Sequence, residues 1–236
     1  MTYRIILLLN LASLLEAFII KVLIDNEIII CNLWGIDSIY NVVALVAVKN
    51  ILTLGGYQIY FWPQRNYDPK RKILLRPTAL DRWIPAIPQA YWLYSPFYYA
   101  VFNLAFLCLT DFKIVVLNAW LMLMHGSFWF LYFPTGIDPT FRESVRKAPM
   151  DRWTRLMMDL VHEQDSVDNA CPSMHCAFTA YLAFVLYPFY PTLAIAFPAI
   201  IAVVCLVCKQ HLIVDILPGL ALGALHGSIN MWMSAQ

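Results

Sequence analysis

Seven times along the chain a run of apolar residues approaches or reaches the length of about 20 residues that an α-helix needs to cross the hydrocarbon of a bilayer. The runs fall at about 4 to 24, 40 to 62, 88 to 110, 113 to 134, 174 to 190, 192 to 209 and 212 to 233. A bilayer core offers no water to unpaired backbone groups, so segments of this kind are expected to be helices with each N–H and C=O paired internally. Charged residues make up only 13% of the 236, against about 25% in a soluble domain. The expected fold class is therefore all-α, a polytopic membrane helix bundle of six to seven spans. The lower number applies if Asn10 and Glu16 keep the first run from spanning. That run lacks a small-residue cleavage site and reads as a retained span rather than a signal peptide. With no repeat, low-complexity stretch or linker, residues 1–236 are expected to be a single membrane domain with its catalytic core at about 113–233.

The net charge of +1 excludes the broad basic surface that nucleic-acid binding requires. Six cysteines lie mostly inside apolar runs, where Cys behaves as a small hydrophobe. Cys205 and Cys208 have the spacing of a redox or metal pair, but within a span they read as packing residues.

Two polar loops, about 63 to 87 and 135 to 172, lie on one side if the spans alternate, and the turn Lys209 to His211 joins them there. That face gathers Arg65, Lys70, Arg71, Lys72, Arg76, Arg82, Arg142, Arg146, Lys147, Arg152 and Arg155. The opposite face holds little beyond Lys21 and Lys113. The positive-inside rule places the loaded face in the cytoplasm, at a plasma (inner) membrane or an endomembrane. Between the loops and the third run, Asp81 to Pro88 followed by Tyr91, Trp92, Tyr94, Tyr98 and Tyr99 reads as an aromatic belt, or as the wall of a head-group groove.

Two short stretches carry the chemistry. In Asn169-Ala170-Cys171-Pro172-Ser173-Met174-His175, a proline ahead of an apolar run marks a helix start, whose free N–H groups form an anion site. In Lys209-Gln210-His211-Leu212-Ile213-Val214-Asp215, His211 and Asp215 are four apart, so on a helix a carboxylate would hold one imidazole nitrogen and leave the other free. An imidazole so oriented is a competent nucleophile toward phosphorus, and the carboxylate steadies the charge that develops. Displacement at phosphorus also needs a proton donor for the leaving oxygen and cations for the non-bridging oxygens. His175 and Arg142 are the natural choices, with Arg146 and Lys147 as competitors for the cation. Ser173 and the N–H groups behind Pro172 would cradle the phosphate. Asp165, Asp168 and Asn169 are candidates to cap that helix or to orient His175. His125, His162 and His226 have no partner at a suggestive spacing and read as structural.

The ordered pair Pro172-Ser173-Met174-His175 and His211-Leu212-Ile213-Val214-Asp215 resembles two motifs of the type-2 phosphatidic acid phosphatase superfamily, Pro-Ser-Gly-His and His-x-x-x-Asp. The resemblance covers about Phe133 to Gly223. The Asp81 to Pro88 segment is similar to the branch containing inositol-phosphorylceramide synthases. The resemblance implies His211 as the nucleophile of a phosphohistidine intermediate, Asp215 as its orienting partner, His175 as acid/base and Ser173 as a phosphate ligand, with no metal and no cofactor. There are departures. The family's Lys, six residues, Arg-Pro pattern has no counterpart in place, since Lys70 to Arg76-Pro77 is one residue short and too far upstream, and Arg142 is the stand-in. Cys205 occupies the position of an Arg six residues before the second histidine, and Lys209 would supply that charge. Met174 replaces Gly.

The function implied is a lipid-phosphate phosphatase. The alternative is a head-group phosphotransferase, in which a lipid alcohol replaces water as acceptor. The implied partners are a lipid phosphate or phospholipid, with no nucleic acid. A third class is a non-catalytic membrane protein or transporter with zinc on His175, His211 and Asp215. No ligand motif accompanies those residues, and Ser173, Arg142 and Lys209 suit an anion better.

Overall fold

Prolines and polar turns cut the apolar sequence into helices whose ends meet at one pole. The computed structural model describes residues 3–28, 38–107 and 112–236, so Cys31 and Cys108 lie outside the described residues. The long helices are α1 (Tyr3–Asp25), α2 (Ile39–Asn66), α4 (Tyr98–Leu107), α5 (Phe112–Tyr132), α8 (Met174–Leu186), α9 (Pro191–Val207) and α10 (Ile213–Ser234). Between them lie the short α3 (Ala79–Trp83) and α6 (Pro139–Glu143), the amphipathic α7 (Arg152–Gln164), and strands β1 (Ile73–Leu75) and β2 (Thr135–Ile137). The described chain is all-α apart from that one two-stranded pair.

Each of the seven apolar runs carries a helix, but not with equal length. Two helices, α5 over Lys113–Tyr132 and α10, are long and apolar enough to cross a membrane by length and composition. The third run is broken: a 3-10 turn at Pro88–Ala90 and a wide π-type turn at Leu93–Phe97 precede α4. Pro96 sits inside that turn and cannot donate to the helical ladder. The fifth and sixth runs are trimmed by Ser173, which caps α8, and by Pro191, which opens α9. At 1.5 Å per residue, the 13 residues of α8 span only about 20 Å.

Helix α8 lies along α10 in the most extensive helix pairing, and α9 flanks α8. Gly219, Gly223 and Gly227 line the contact, and a Cβ on Gly223 would stand 2.0 Å from the Ala177 carbonyl oxygen. Small residues at such spacing let two backbones touch. On the other side α2 packs on α5, with α1 against α2. Tyr91, Tyr181, Phe130, Phe197, Met122 and Met158 fill the interior. The outward faces carry large exposed apolar side chains, among them Phe18, Leu117, Phe128, Ile195, Val203, Leu217 and Trp232.

The polar loops knit together at the pole where α2, α5 and α9 end and α8 and α10 begin. β1 pairs in parallel with β2, Ile73 opposite Thr135 and Leu75 opposite Ile137, which ties loop 63–87 to loop 135–172. Gly136 bridges to Asp168, and the Ile87 N–H donates to the Val207 carbonyl at 3.0 Å. The three segments expected on one face are thus in contact.

Candidate active site

The turn between α9 and α10 places His211. Its predicted position on a helical face is not what forms. After Cys208 ends α9, Lys209 takes a left-handed φ of 59°, and the Gln210 and His211 N–H groups close back onto the Cys205 carbonyl at 3.0 and 3.3 Å. Helix α10 starts only at Ile213, so His211 stands in the turn and meets Asp215 across the helix start. The contact survives the change: His211 Nδ1 lies 3.5 Å from Asp215 Oδ2. Asp215 is fully buried. Its Oδ2 also accepts the Leu212 N–H at 2.9 Å, capping α10, while Oδ1 has no protein partner. Burial works against a charged His211, but the adjacent Asp215 carboxylate outweighs it and raises the imidazole above its ordinary value.

Across from it, α8 presents His175 in its first turn, with ring centroids 6.0 Å apart. Tyr94 and Tyr98 hold that ring, their centroids 4.4 and 5.3 Å from it. The Tyr94 hydroxyl lies 3.2 Å from His175 Nδ1. Ser173 is fully buried. Its Oγ accepts the Cys176 N–H at 3.4 Å, and its own N–H donates to the Asp215 carbonyl at 3.0 Å. Ser173 thereby joins the two histidine-bearing helix starts.

Arg142 ends α6, a helix begun by the Asp138 cap and Pro139. It is 4% exposed, and its Nε and Nη2 have no hydrogen-bond partner. A guanidinium stripped of water with donors unused has the chemistry to take an anion. Its charge acts on Asp165, Tyr94 and His162. Arg146 instead pairs with Glu143 and Asp159, at 2.5 Å each.

Lys209 is aimed elsewhere. Its ammonium donates to the carbonyls of Asp81 at 3.0 Å and Ile84 at 2.6 Å, and it lies 4.8 Å from the centre of the Phe141 ring. Of the six predicted site residues, then, His175, His211, Asp215, Ser173 and Arg142 converge, while the Lys209 charge grips the 81–84 segment.

Several partners escaped the sequence reading. Asp81 of α3 accepts the Ile213 N–H at 2.8 Å and so anchors the start of α10. Donors from Thr78 and Ile213 overcome burial and hold its carboxyl below the usual carboxylate range. Asp165 accepts from the Tyr60 hydroxyl at 3.5 Å and adjoins Tyr94, and burial raises its carboxyl although Arg142 and His211 oppose the rise. Asp168 pairs with Lys72, and Asn169 donates to the Tyr60 carbonyl at 2.9 Å, so neither caps α8. His162 has partners that spacing could not reveal: the Tyr91 hydroxyl at 2.7 Å and the Gln210 amide at 2.9 Å. Burial, with Arg142 and Arg146 nearby, lowers His162 to about 4. His125 and His226 face each other at 3.4 Å across α5 and α10.

From His175 a mostly apolar cleft of about 1000 Å³, open mouth included, runs between α2, α4, α5 and α8. Tyr60, Tyr98, Phe102, Leu123 and Phe178 line it, with Lys49. Among the described residues no three of His, Cys, Asp and Glu converge as a metal cage. No family model matches the chain, and no curated protein or solved structure is significantly similar to it.

Proposed function

We propose that this chain is a membrane-embedded lipid-phosphate phosphatase that works through a phosphohistidine. The observation that carries the reading is the buried Arg142 guanidinium, with Nε and Nη2 unpartnered, together with two facing imidazoles. Neutral interiors do not leave such donors unpaired, whereas a phosphoryl group would accept from them while an imidazole attacks.

The roles follow from the contacts. With Nδ1 toward Asp215, His211 attacks phosphorus through Nε2, and Asp215 stabilises the positive ring. Arg142 and first-turn N–H groups of α8 take the non-bridging oxygens. His175 gives a proton to the departing lipid oxygen and then takes one from the water that cleaves the phosphohistidine.

Membrane embedding, as a bundle of six to seven spans, rests on the seven apolar helices and on their exposed Leu, Ile, Phe and Trp side chains. A soluble domain rarely exposes so much apolar surface. Helix α7 adds Trp153, Leu156 and Leu160, all exposed and spaced along one face, as an interfacial helix would. The site then lies at the membrane surface, on the face whose cationic loops favour the cytoplasmic side. The apolar cleft at His175 suits a hydrocarbon chain and favours a lipid over a soluble phosphoester.

A head-group phosphotransferase is the second reading. It is favoured by Cys205, fully buried at the position where the phosphatase motif carries a phosphate-binding Arg. Purified protein incubated with a panel of lipid phosphates, phospholipids and sphingolipids separates the two. Free phosphate released without an added lipid alcohol supports the phosphatase. A new lipid formed only when the alcohol is present replaces it by the transferase. Full turnover by His211→Ala on every substrate accepted by the wild type refutes both.

A further inference from the structure

His175 is half-buried with a second imidazole as its neighbour. Tyr94 and Tyr98 pack on its ring, which is 6.0 Å from His211, a residue that becomes positive when it is phosphorylated. Holding a second imidazolium there would be costly, since two cations at that distance in a site of low dielectric repel strongly. Yet the proposed reaction needs a proton delivered to the leaving oxygen. The source of that proton is written in what stands behind the ring. The Tyr94 hydroxyl lies 3.2 Å from His175 Nδ1. The same hydroxyl adjoins the Asp165 carboxyl, which the Tyr60 hydroxyl contacts at 3.5 Å. The Arg142 charge also acts on the Asp165 carboxyl.

We propose that Asp165 and Tyr94 are positioning residues that form a proton relay to His175, with Asp165 as the reservoir. The inference rests on the phosphoryl-transfer reading above. In the resting site Asp165 is the neutral acid, and the phenol O–H donates to Nδ1, so the ring proton sits on Nε2. When His211 attacks, the O–P bond to the lipid breaks and the Nε2 proton passes to the departing oxygen, giving the alcohol. The phenol proton moves to Nδ1 and the Asp165 proton to the phenol oxygen. His175 ends neutral in its other tautomer, and the Arg142 charge acts on the new Asp165 carboxylate. In the second half, water attacks phosphorus and the His211 N–P bond breaks. The water proton enters at Nε2, the relay runs backward, and Asp165 regains its proton. Atoms and charge balance over the cycle, and His175 never has to be cationic. Burial favours the neutral acid that the relay starts from.

A helper of the leaving group matters only when the leaving group needs help. The test compares an alkyl phosphate such as decyl phosphate with 4-nitrophenyl phosphate, whose phenolate departs unprotonated, on wild type, Tyr94→Phe, Asp165→Asn and Asp165→Glu. The first two variants should lose on the order of 10²-fold in kcat with the alkyl ester. They should stay within about threefold in the first, phosphorylating step with the nitrophenyl ester, read as the burst of nitrophenolate. Asp165→Glu, which keeps the proton, should recover part of the loss. Equal losses in both esters would mean that Tyr94 and Asp165 only hold the fold, and no loss in either would mean that they do nothing. Each of these overturns the relay while leaving His211 chemistry standing. A wild type without His211-dependent turnover of either ester overturns the function and the relay together.

Discussion

The tight contact between α8 and α10 at Gly223 makes a prediction that can be worked from distances. A methyl group on Gly223 would stand 2.0 Å from the Ala177 carbonyl oxygen and 2.8 Å from both its carbonyl carbon and the Ala180 Cβ. Relieving it means moving α8 away from α10 by about 1.2 Å, because the opposing atoms are main chain and cannot rotate aside. Overpacking of this severity costs about 3 kcal/mol, and alanine's better helix propensity returns about 1 kcal/mol. The net is about 2 kcal/mol, or roughly 4–8 °C in Tm for a chain of this size. Ala177 is two residues from His175, so His175 moves with α8 while His211 stays at the start of α10. A misplacement of about 1 Å between reacting groups costs about 10²-fold in rate. Gly126→Ala is the internal control. Its Cβ would meet the Met174 Sδ at 2.7 Å, the end of a flexible side chain that swings away. Thermal aggregation in detergent and turnover of a lipid phosphate are the two readouts. If Gly223→Ala matches Gly126→Ala within threefold in rate and about 1 °C in Tm, the tight α8–α10 contact does not set the site geometry.

Asp215→Asn should lower turnover on the order of 10³-fold or more while the helix cap persists, because the amide carbonyl still accepts from Leu212 but no longer stabilises a cationic His211; acid-labile phosphate trapped on the chain should vanish with it. Only the neutral His211 ring attacks, and its value lies above the ordinary 6.5, so kcat/KM should rise with pH through that raised value. The stabilisation from the His211–Asp215 pair runs the opposite way, being full below 6.5 and lost as pH climbs through the raised value, and denaturation midpoints of wild type against Asp215→Asn will check both signs. His162, lowered to about 4, binds protons in the unfolded chain first. The stability it contributes is full above 6.5 and lost as pH falls from there toward 4, and His162→Gln should flatten that acid limb in a melting series. Lys209→Met should destabilise by about 2–3 kcal/mol through the lost charged hydrogen bonds to the Asp81 and Ile84 carbonyls. Its KM for phosphate ester should stay within about threefold of wild type, and a KM rise of tenfold or more would restore Lys209 to the phosphate.

Helices were legible because apolar run length and proline placement act locally. Ser173 and Pro191 start α8 and α9, by capping and by a φ set for the first turn, features present in the residues themselves. The meeting of the two histidine motifs could also be argued, since alternating helices return both to one pole. What escaped the residues was direction. Lys209 sits two positions from His211, and only the left-handed turn at Lys209 itself decides that its ammonium points to the Asp81 and Ile84 carbonyls. Tyr94 was visible as one aromatic among several, but its choice of His175 depends on the irregular turn at Leu93–Phe97, a long-range packing outcome. His125 and His226 are 101 positions apart, and no local spacing could pair them.

Residues upstream of the core drawn from the motifs, about 113–233, also hold the turn that carries His211. The start of α10 is not self-sufficient: of its first N–H groups, Leu212 is met by its own Asp215 and Ile213 by Asp81 from far upstream. Asp81 can do this because Thr78 reciprocates in a capping box that fixes α3. Lys209 then clamps the carbonyls at the end of the same segment, so a carboxylate and an ammonium close a loop of contacts between residues 78–84 and 209–213. Each charge has its own partners, the Asp81 carboxylate in Thr78 and the Ile213 N–H and the Lys209 ammonium in two main-chain carbonyls, so the two contacts tie the segments together independently. The consequence for chemistry is that the turn carrying His211 is framed by the first half of the chain, as His175 is by Tyr94 and Tyr98. Both imidazoles and Asp215 come from the second half, while Tyr94, Tyr98 and Asp81 reach their surroundings from the first.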